Sequence, residues 1–408
     1  MATFAFQVSE WKRPILRSYF PERLFQFVPP SVSDRDFEHV WTPRILATKA
    51  CEFLVWGDAP DRLINVAKAH DIPLWFVEDG FIRSTRPSAS RTAPFSLALD
   101  RRAPYFDCRQ ASDLELILKT YDFDGDASLM ARAKAGIQFL LDRGISKYND
   151  GSRRSAEQVY GTKTRKRVLV VGQVEDDASI RYGCLARLNN NDLVRVAARE
   201  QPDAQILYKP HPDVLSRVRP AQSDPAEVAH LCQIVTEKLP LAEALRTVDH
   251  VYTITSLAGF EALLRGIKVT TLGCPFYSGW GLTDDRQPNA RRRRALSVEA
   301  LFAGAYLIYP RYSDPETGKQ TSFETTVAAI MAELAEGEMA SSGPEWRPWG
   351  PYGVLGWRHL LTAVIAPVIR RVGNDRDVED FRADPIRFFR SLSDRRLRMV
   401  GRLLYPLG

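Results

Sequence analysis

The sequence predicts an α/β protein made of two Rossmann-like halves with parallel sheets, followed by a C-terminal helical tail. Short β-rich runs alternate with longer helical patterns twice along the chain, and a polar stretch without apolar period separates the two sets. Length agrees: 408 residues accommodate two domains of roughly 150 to 200 residues and an extension. Apolar residues make up 45% and charged residues 26%, the balance of a folded globular chain.

In the first set, residues 53–56 and 74–77 read as buried strands, with a helical pattern over 61–70 between them, one βαβ unit. Helical patterns follow at 114–119 and 129–143. Residues 148–166 are rich in Ser, Gly, Lys and Arg and are expected to link the halves, so the first domain is 1–150. The second, 165–315, has strands at 167–171, 205–209, 233–236, 251–253 and 269–272, and a helix around 191–200. Residues 316–408 hold one clear helix at 323–336, a Gly, Pro and Trp-rich segment at 343–357 and two short helical patterns. This extension either packs back on the N-terminal domain or rests on a membrane surface through Trp346, Trp349, Trp357, Arg370 and Arg371.

Composition narrows the function classes. No apolar run approaches the roughly 20 residues a spanning helix needs, and the N-terminus lacks an apolar signal core, so export is not expected. Five cysteines, Cys51, Cys108, Cys184, Cys232 and Cys274, stand singly. That pattern indicates neither a disulfide framework nor a metal site, and fits a reducing cytoplasm. The net charge of +6, densest at Arg291 to Arg294, favours an anionic partner, but no nucleic-acid motif accompanies it.

Chemistry-bearing residues cluster after the strands, where ligands of open α/β sheets bind. Strand 167–171 runs into GQVEDDAS (172–179), which places Glu175, Asp176 and Asp177 in one turn beside Gln173. Such a cluster supplies a general base or a carboxylate nucleophile, or else caps the next helix. Strand 205–209 ends in KPHP, where two prolines hold Lys209 and His211 in an extended loop able to meet a phosphate. In TITSLAGFEAL (253–263), small residues lead into a helix. Its free N–H groups near Ser256 and Gly259 suit phosphate, and Glu261 suits ribose hydroxyls or the helix dipole. The loop PFYSGWGLTDD (275–285) offers Tyr277, Trp280 and Asp284 to a sugar, or is a rigid packed loop. In the N-terminal half, EDGFIRS (78–84) sets Glu78 and Asp79 beside Arg83, which could clamp a carboxylate or pair internally with Asp79.

These blocks, with SLALD (96–100), KPHPDV (209–214) and YPRYSDP (309–315), resemble in content and order the bacterial capsule-polysaccharide synthesis family of retaining β-Kdo transferases. The resemblance implies a modified GT-B architecture. It implies transfer of the acidic sugar Kdo from CMP-Kdo, with no other cofactor and no metal, onto a glycolipid or polysaccharide acceptor. The setting is the cytoplasm, with peripheral association at the inner membrane as the further option. Carried onto this chain, Asp177 is the nucleophile, Lys209 and His211 meet the CMP phosphate, and Arg83 and Arg181 are candidates for the Kdo carboxylate. Ser256 and Gly259 lie at the helix start, Glu261 on the ribose, and Glu78 or Asp79 near the acceptor hydroxyl. Two departures stand out: the module occurs once rather than twice, and Thr85, Arg86, Pro87 and Ser88 replace the usual Gly-Leu-Gly stretch. Competing expectations are a non-catalytic export or assembly protein and a transferase with another nucleotide sugar.

Overall fold

The computed structural model describes residues 1–30, 32–83, 93–147, 154–186, 188–215, 222–237, 239–314, 318–339, 359–372, 377–378, 381–382, 385–392 and 395–405. The strands in chain order are β1 (Ala2–Phe6), β2 (Leu24–Phe27), β3 (Cys51–Trp56), β4 (Leu74–Asp79), β5 (Ser96–Asp100), β6 (Arg167–Val171), β7 (Gln205–Lys209), β8 (Gln233–Ile234), β9 (His250–Thr253), β10 (Lys268–Thr271), β11 (Asp284–Asp285), β12 (Pro310–Ser313) and β13 (Gln320–Thr321). They build two sheets, ordered β13-β12-β5-β4-β3-β1-β2 and β11-β10-β9-β6-β7-β8. Both are Rossmann-like in mixing strands with helices, which bears out the α/β expectation.

The second sheet is parallel throughout, with Val170 opposite both Tyr208 and Tyr252. All five residues of β6 are buried, as a strand covered on both faces requires. The first sheet departs from the all-parallel expectation. β2, β1, β3 and β4 pair in parallel, but β12 returns antiparallel to β5, with Arg311 opposite Leu97.

By contact density the chain divides into two compact units. One comprises Met1–Val77, Ser313–Gln320 and Ala335–Gly408; the other comprises Glu78–Tyr312 and Thr321–Leu334. The boundary falls inside β4. Phe4, Phe6, Phe53, Val55 and Leu63 form one core of the first unit. Its C-terminal helices pack a separate core of Ala366, Ile369, Phe381, Phe388, Phe389 and Tyr405. In the second unit a large core runs from Phe81 through Leu169 and Phe260 to Phe323.

Within the span 148–166 that composition reads as a linker, residues 154–166 include a packed helix. Residues 148–153 lie outside the described ones, but Ala156–Tyr160 is a helix with a reciprocal Ser155/Gln158 cap. Its Ala156 N–H donates to Glu243 Oε1 at 2.6 Å, and the buried Tyr160 hydroxyl donates to the Ala244 carbonyl at 3.2 Å. These anchors, with half-buried Val159 against the large core, dock a polar helix whose Glu157 and Gln158 face water. In the extension, Phe323–Met339, His359–Val372, Pro385–Ser391 and Arg395–Leu404 are helical; the segment 343–357, with its three tryptophans, and residues 85–88 lie outside the described residues.

His250, the first residue of β9, is buried. Its Nε2 is 2.9 Å from Thr270 Oγ1, and Nδ1 has no hydrogen-bond partner. Burial, reinforced by Lys166 and Lys268, lowers its pKa from 6.5 to about 4. A ring held neutral contributes stability above its unfolded pKa and loses that contribution as pH falls through the folded one. The shift predicts that wild type loses roughly 3 kcal/mol more unfolding free energy between pH 7 and 4 than a His250→Gln variant does. Parallel pH profiles from urea titrations of the two proteins would refute it.

Candidate functional site

Parallel pairing brings the carboxyl ends of β6, β7 and β9 to one edge of the second sheet, the edge at which such sheets take ligands. Beyond β6, the Gly172 N–H donates to the Lys209 carbonyl at 2.9 Å. A Cβ at Gly172 would stand 3.0 Å from Pro210 Cα, so glycine permits the two loops to touch. The buried amide of Gln173 joins the third loop: its Nε2 donates to Thr255 Oγ1 at 3.0 Å and its Oε1 accepts from Thr255 N–H at 2.8 Å. The side chain of Asn190 holds both backbone groups of Gln173, each at 2.9 Å, and Ser179 Oγ lies 3.3 Å from Thr255 Oγ1. Thr255, Ser179 and Asn190 are not among the residues that the sequence singles out. The hints were the membership of Ser179 in GQVEDDAS and of Thr255 in TITSLAGFEAL; nothing pointed to Asn190.

The three acids have different surroundings. Glu175 accepts four hydrogen bonds, from the N–H groups of Asn190, Gln222 and Ser223 and the Ser223 hydroxyl, between 2.5 and 2.9 Å. Its carboxylate is fully occupied in holding the loop. Asp177 is exposed and caps the helix Ala178–Gly183, its Oδ1 accepting from Ser179 N–H at 2.8 Å. Half-buried Asp176 offers its carbonyl to the exposed Arg181 at 3.3 Å.

On the neighbouring loops, Lys209 closes β7 and is half-buried. The carbonyl of half-buried His211 accepts from Val214 and Leu215 N–H at the start of the short helix Pro212–Leu215. Ser256 caps the helix Leu257–Leu264, its Oγ accepting from Ala258 N–H at 3.2 Å. Gly259 serves packing, because the Tyr277 hydroxyl occupies the place a Cβ would need while donating to the Ser256 carbonyl at 2.5 Å. Glu261 points inward rather than out of the loop. It is 3% exposed, accepts from Lys147 N–H at 3.2 Å and leaves Oε2 without a hydrogen-bond partner. Burial pushes its carboxyl up to about 7, against the pull of Arg265.

In the EDGFIRS segment, Glu78 accepts from the Asp79 N–H at 2.9 Å, and the buried Arg83 guanidinium pairs with Asp79 at 2.8 Å. The internal pairing is therefore formed. Phe81 of the same segment packs on Phe276, ring centroids 4.6 Å apart, and on Tyr306. Phe260 packs on Phe276 and Tyr306 in turn. An aromatic cluster thus fastens EDGFIRS, SLAGFE and PFYSGWG together. Tyr277 and Trp280 belong to this interior and are fully buried, the indole donating to the Phe276 carbonyl at 2.8 Å. Neither ring faces outward for a sugar, which corrects the expectation from composition; aromatic faces adjoining polar groups pack a loop as readily as a ligand. Asp284 pairs with Arg286 at 2.9 Å.

Nor is the arginine run an open anion patch. Buried Glu115 receives Arg291 at 2.6 Å and Arg292 at 3.0 Å. Arg292 also donates to the carbonyls of Pro275 and Ser278, Arg293 to Ala290 and Arg294 to Tyr121. All four guanidinium groups have internal partners.

A family model described as capsule polysaccharide biosynthesis protein matches residues 53–312. The lipopolysaccharide-processing protein LpsZ of Rhizobium meliloti is 44% identical over 345 residues, 81% of this chain and 76% of LpsZ. The capsule polysaccharide modification protein LipA of Neisseria meningitidis is 37% identical over 80% of this chain, which spans only 45% of LipA. Among solved structures, the KpsC β-Kdo 2,7 transferase of Thermosulfurimonas dismutans superposes with a TM-score of 0.65 at 31% identity, covering 82% of this chain and all of that one. The KpsC β-Kdo 2,4 transferase from the same organism gives 0.66 at 29%, over 81% and 98%. In fold the chain is Kdo-transferase-like.

Two stability outcomes follow from the packing around the site. Glu115→Ala leaves the buried Arg292 guanidinium without its carboxylate, while the partly exposed Arg291 keeps its carbonyl partner at Cys108, and is expected to cost about 3–5 kcal/mol; a loss near zero in denaturant unfolding would show the cluster to be solvated. Gly259→Ala is expected to cost about 1–3 kcal/mol through collision with the Tyr277 hydroxyl. Adding Tyr277→Phe recovers part of it, since Tyr277 Cζ and Thr253 Cγ2 would still stand 2.9 and 3.0 Å from the new Cβ, and strictly additive losses would locate the strain elsewhere.

Proposed function

The chain belongs to the capsule polysaccharide biosynthesis family, and from that premise we propose that it transfers β-Kdo from CMP-Kdo to a glycolipid or polysaccharide acceptor with retention of configuration. The observation that carries this reading is the meeting of three loops, bearing Asp177, Lys209 with His211, and Ser256, at the carboxyl edge of a parallel sheet. The chain that holds them also matches the whole length of a β-Kdo transferase structure.

Asp177 suits the nucleophile role better than its neighbours. The Ser179 N–H fixes one carboxylate oxygen, while Oδ2 has no hydrogen-bond partner among the described residues and the side chain is exposed. Glu175 has no such freedom. In the proposed first step Asp177 attacks the anomeric carbon of Kdo, the bond to the CMP phosphate oxygen breaks, and CMP leaves with that electron pair. Lys209 and His211, with the helix start at Ser256, offset the charge gathering on the phosphate. In the second step an acceptor hydroxyl, its proton taken by Glu78 or Asp79, attacks the same carbon and frees Asp177. Two inversions give net retention. Arg181, exposed beside the acid loop, is the candidate for the Kdo carboxylate.

Intact-protein mass spectrometry after mixing with CMP-Kdo is expected to show one added Kdo on wild type and none on Asp177→Ala. Asp177→Asn is expected to lose at least about a thousandfold in transfer while binding CMP almost as before. An adduct that survives on Asp177→Ala would take the nucleophile role away from this residue.

A further inference from the structure

The helix Arg395–Leu404 lies beyond residues 53–312, the span of the family match. One of its faces is seated. Gly401 abuts Phe389, with no room for a Cβ, and Tyr405, just past its end, stacks on Phe389 with ring centroids 5.9 Å apart. The other face is open: Leu403 is 78% exposed and Met399 57%, and Val400 and Leu397 are also exposed. Met399, Leu403 and Val400 fall within about 100° of one another around the helix, at 100° per residue. Arg396 and Arg402, both exposed, border them.

The charge is one-sided. Arg395–Leu404 contains four arginines and no acid, and His359–Val372, which shares its core, repeats the scheme with exposed Val364 and Val368 ahead of Arg370 and Arg371. Six of the thirteen large apolar side chains exposed among the described residues belong to these two short helices, a concentration that scattered surface leucines do not produce. Among the described residues no helix is long and apolar enough to cross a bilayer.

We propose that the outer face of Arg395–Leu404 docks on the surface of an anionic lipid bilayer. Met399, Val400 and Leu403 enter the boundary between headgroups and acyl chains, while Arg396 and Arg402 meet lipid phosphates. Charge complementarity selects this occupant: an apolar strip whose own helix carries arginines and no acid fits a negative surface, whereas a second copy of the same face would oppose like charges. The inference holds whatever reaction the other unit catalyses.

The test is flotation of the full chain with vesicles of phosphatidylethanolamine and phosphatidylglycerol, and with phosphatidylcholine vesicles alone. The expected result is binding to the anionic vesicles, weakened by salt. It falls at least about tenfold in Met399→Asp/Leu403→Asp and several-fold in Arg402→Gln, with thermal unfolding unchanged because these side chains are exposed. Equal binding to phosphatidylcholine, no binding to anionic vesicles, or wild-type binding by the double variant overturns the proposal. So does a dimer, seen by light scattering, that dissolves in the double variant while vesicle binding is absent.

Discussion

A carboxylate enclosed by two guanidinium groups sets the geometry of everything around the candidate site. Glu115 is distant in sequence from the adjacent Arg291 and Arg292, and a charge buried alone is costly; together they offset one another and leave further donors to spend. Arg292 spends them on the carbonyls of Pro275 and Ser278, which fixes the loop carrying Phe276. Phe276 in turn meets Phe81 and Phe260. The end of β4, the helix after β9 and the loop after β10 are thereby held in one arrangement. Electrostatics thus decides where the aromatic packing occurs.

The same logic separates residues of one chemical type. Three acids stand in a row after β6, but the number of donors facing each decides its use. Glu175, with four, is a fastening; Asp177, with one backbone donor, is a cap with an oxygen to spare. Glu261 has only a distant backbone N–H and Arg265 for company, and burial drives it toward its neutral form.

Much of the second sheet was legible because its central strands are buried and read as short apolar runs: 167–171 and 205–209 match β6 and β7 residue for residue. The position of the loops after them at one edge of the sheet was equally legible, but the use of their residues was not, since Glu175 fastens a loop and Asp177 caps a helix. What escaped depends on distant partners. β12 acquires its identity only by returning to β5, and β1 and β2 are short aromatic runs whose pairing with each other and with β3 no local pattern announces. The helix Ala156–Tyr160 hid in a polar stretch because only Ala156 and Tyr160 are buried. The arginine run misled for a related reason: clustering in sequence says nothing of a buried glutamate that lies 176 residues away. Burial of Glu261, Tyr277 and Trp280 was illegible likewise, for each has a side chain equally suited to a ligand or to a core.

The unit containing β1 to β3 is assembled from three separated stretches, Met1–Val77, Ser313–Gln320 and Ala335–Gly408, while most of the other unit is a single run. A ribosome delivers these in an awkward order. The first stretch can pair its own strands and bury Phe4 and Phe53 among its own residues, but the outer edge of β5 stays bare until β12 emerges, and only then do the closing helices arrive. Contacts over such sequence separations are slow to form because a long loop must be closed before any contact repays it. Nascent chains of this architecture therefore carry an open sheet edge through most of their synthesis. Recovery of the protein in cells should depend on chaperones that shield the early strands more than on the stability of the finished fold.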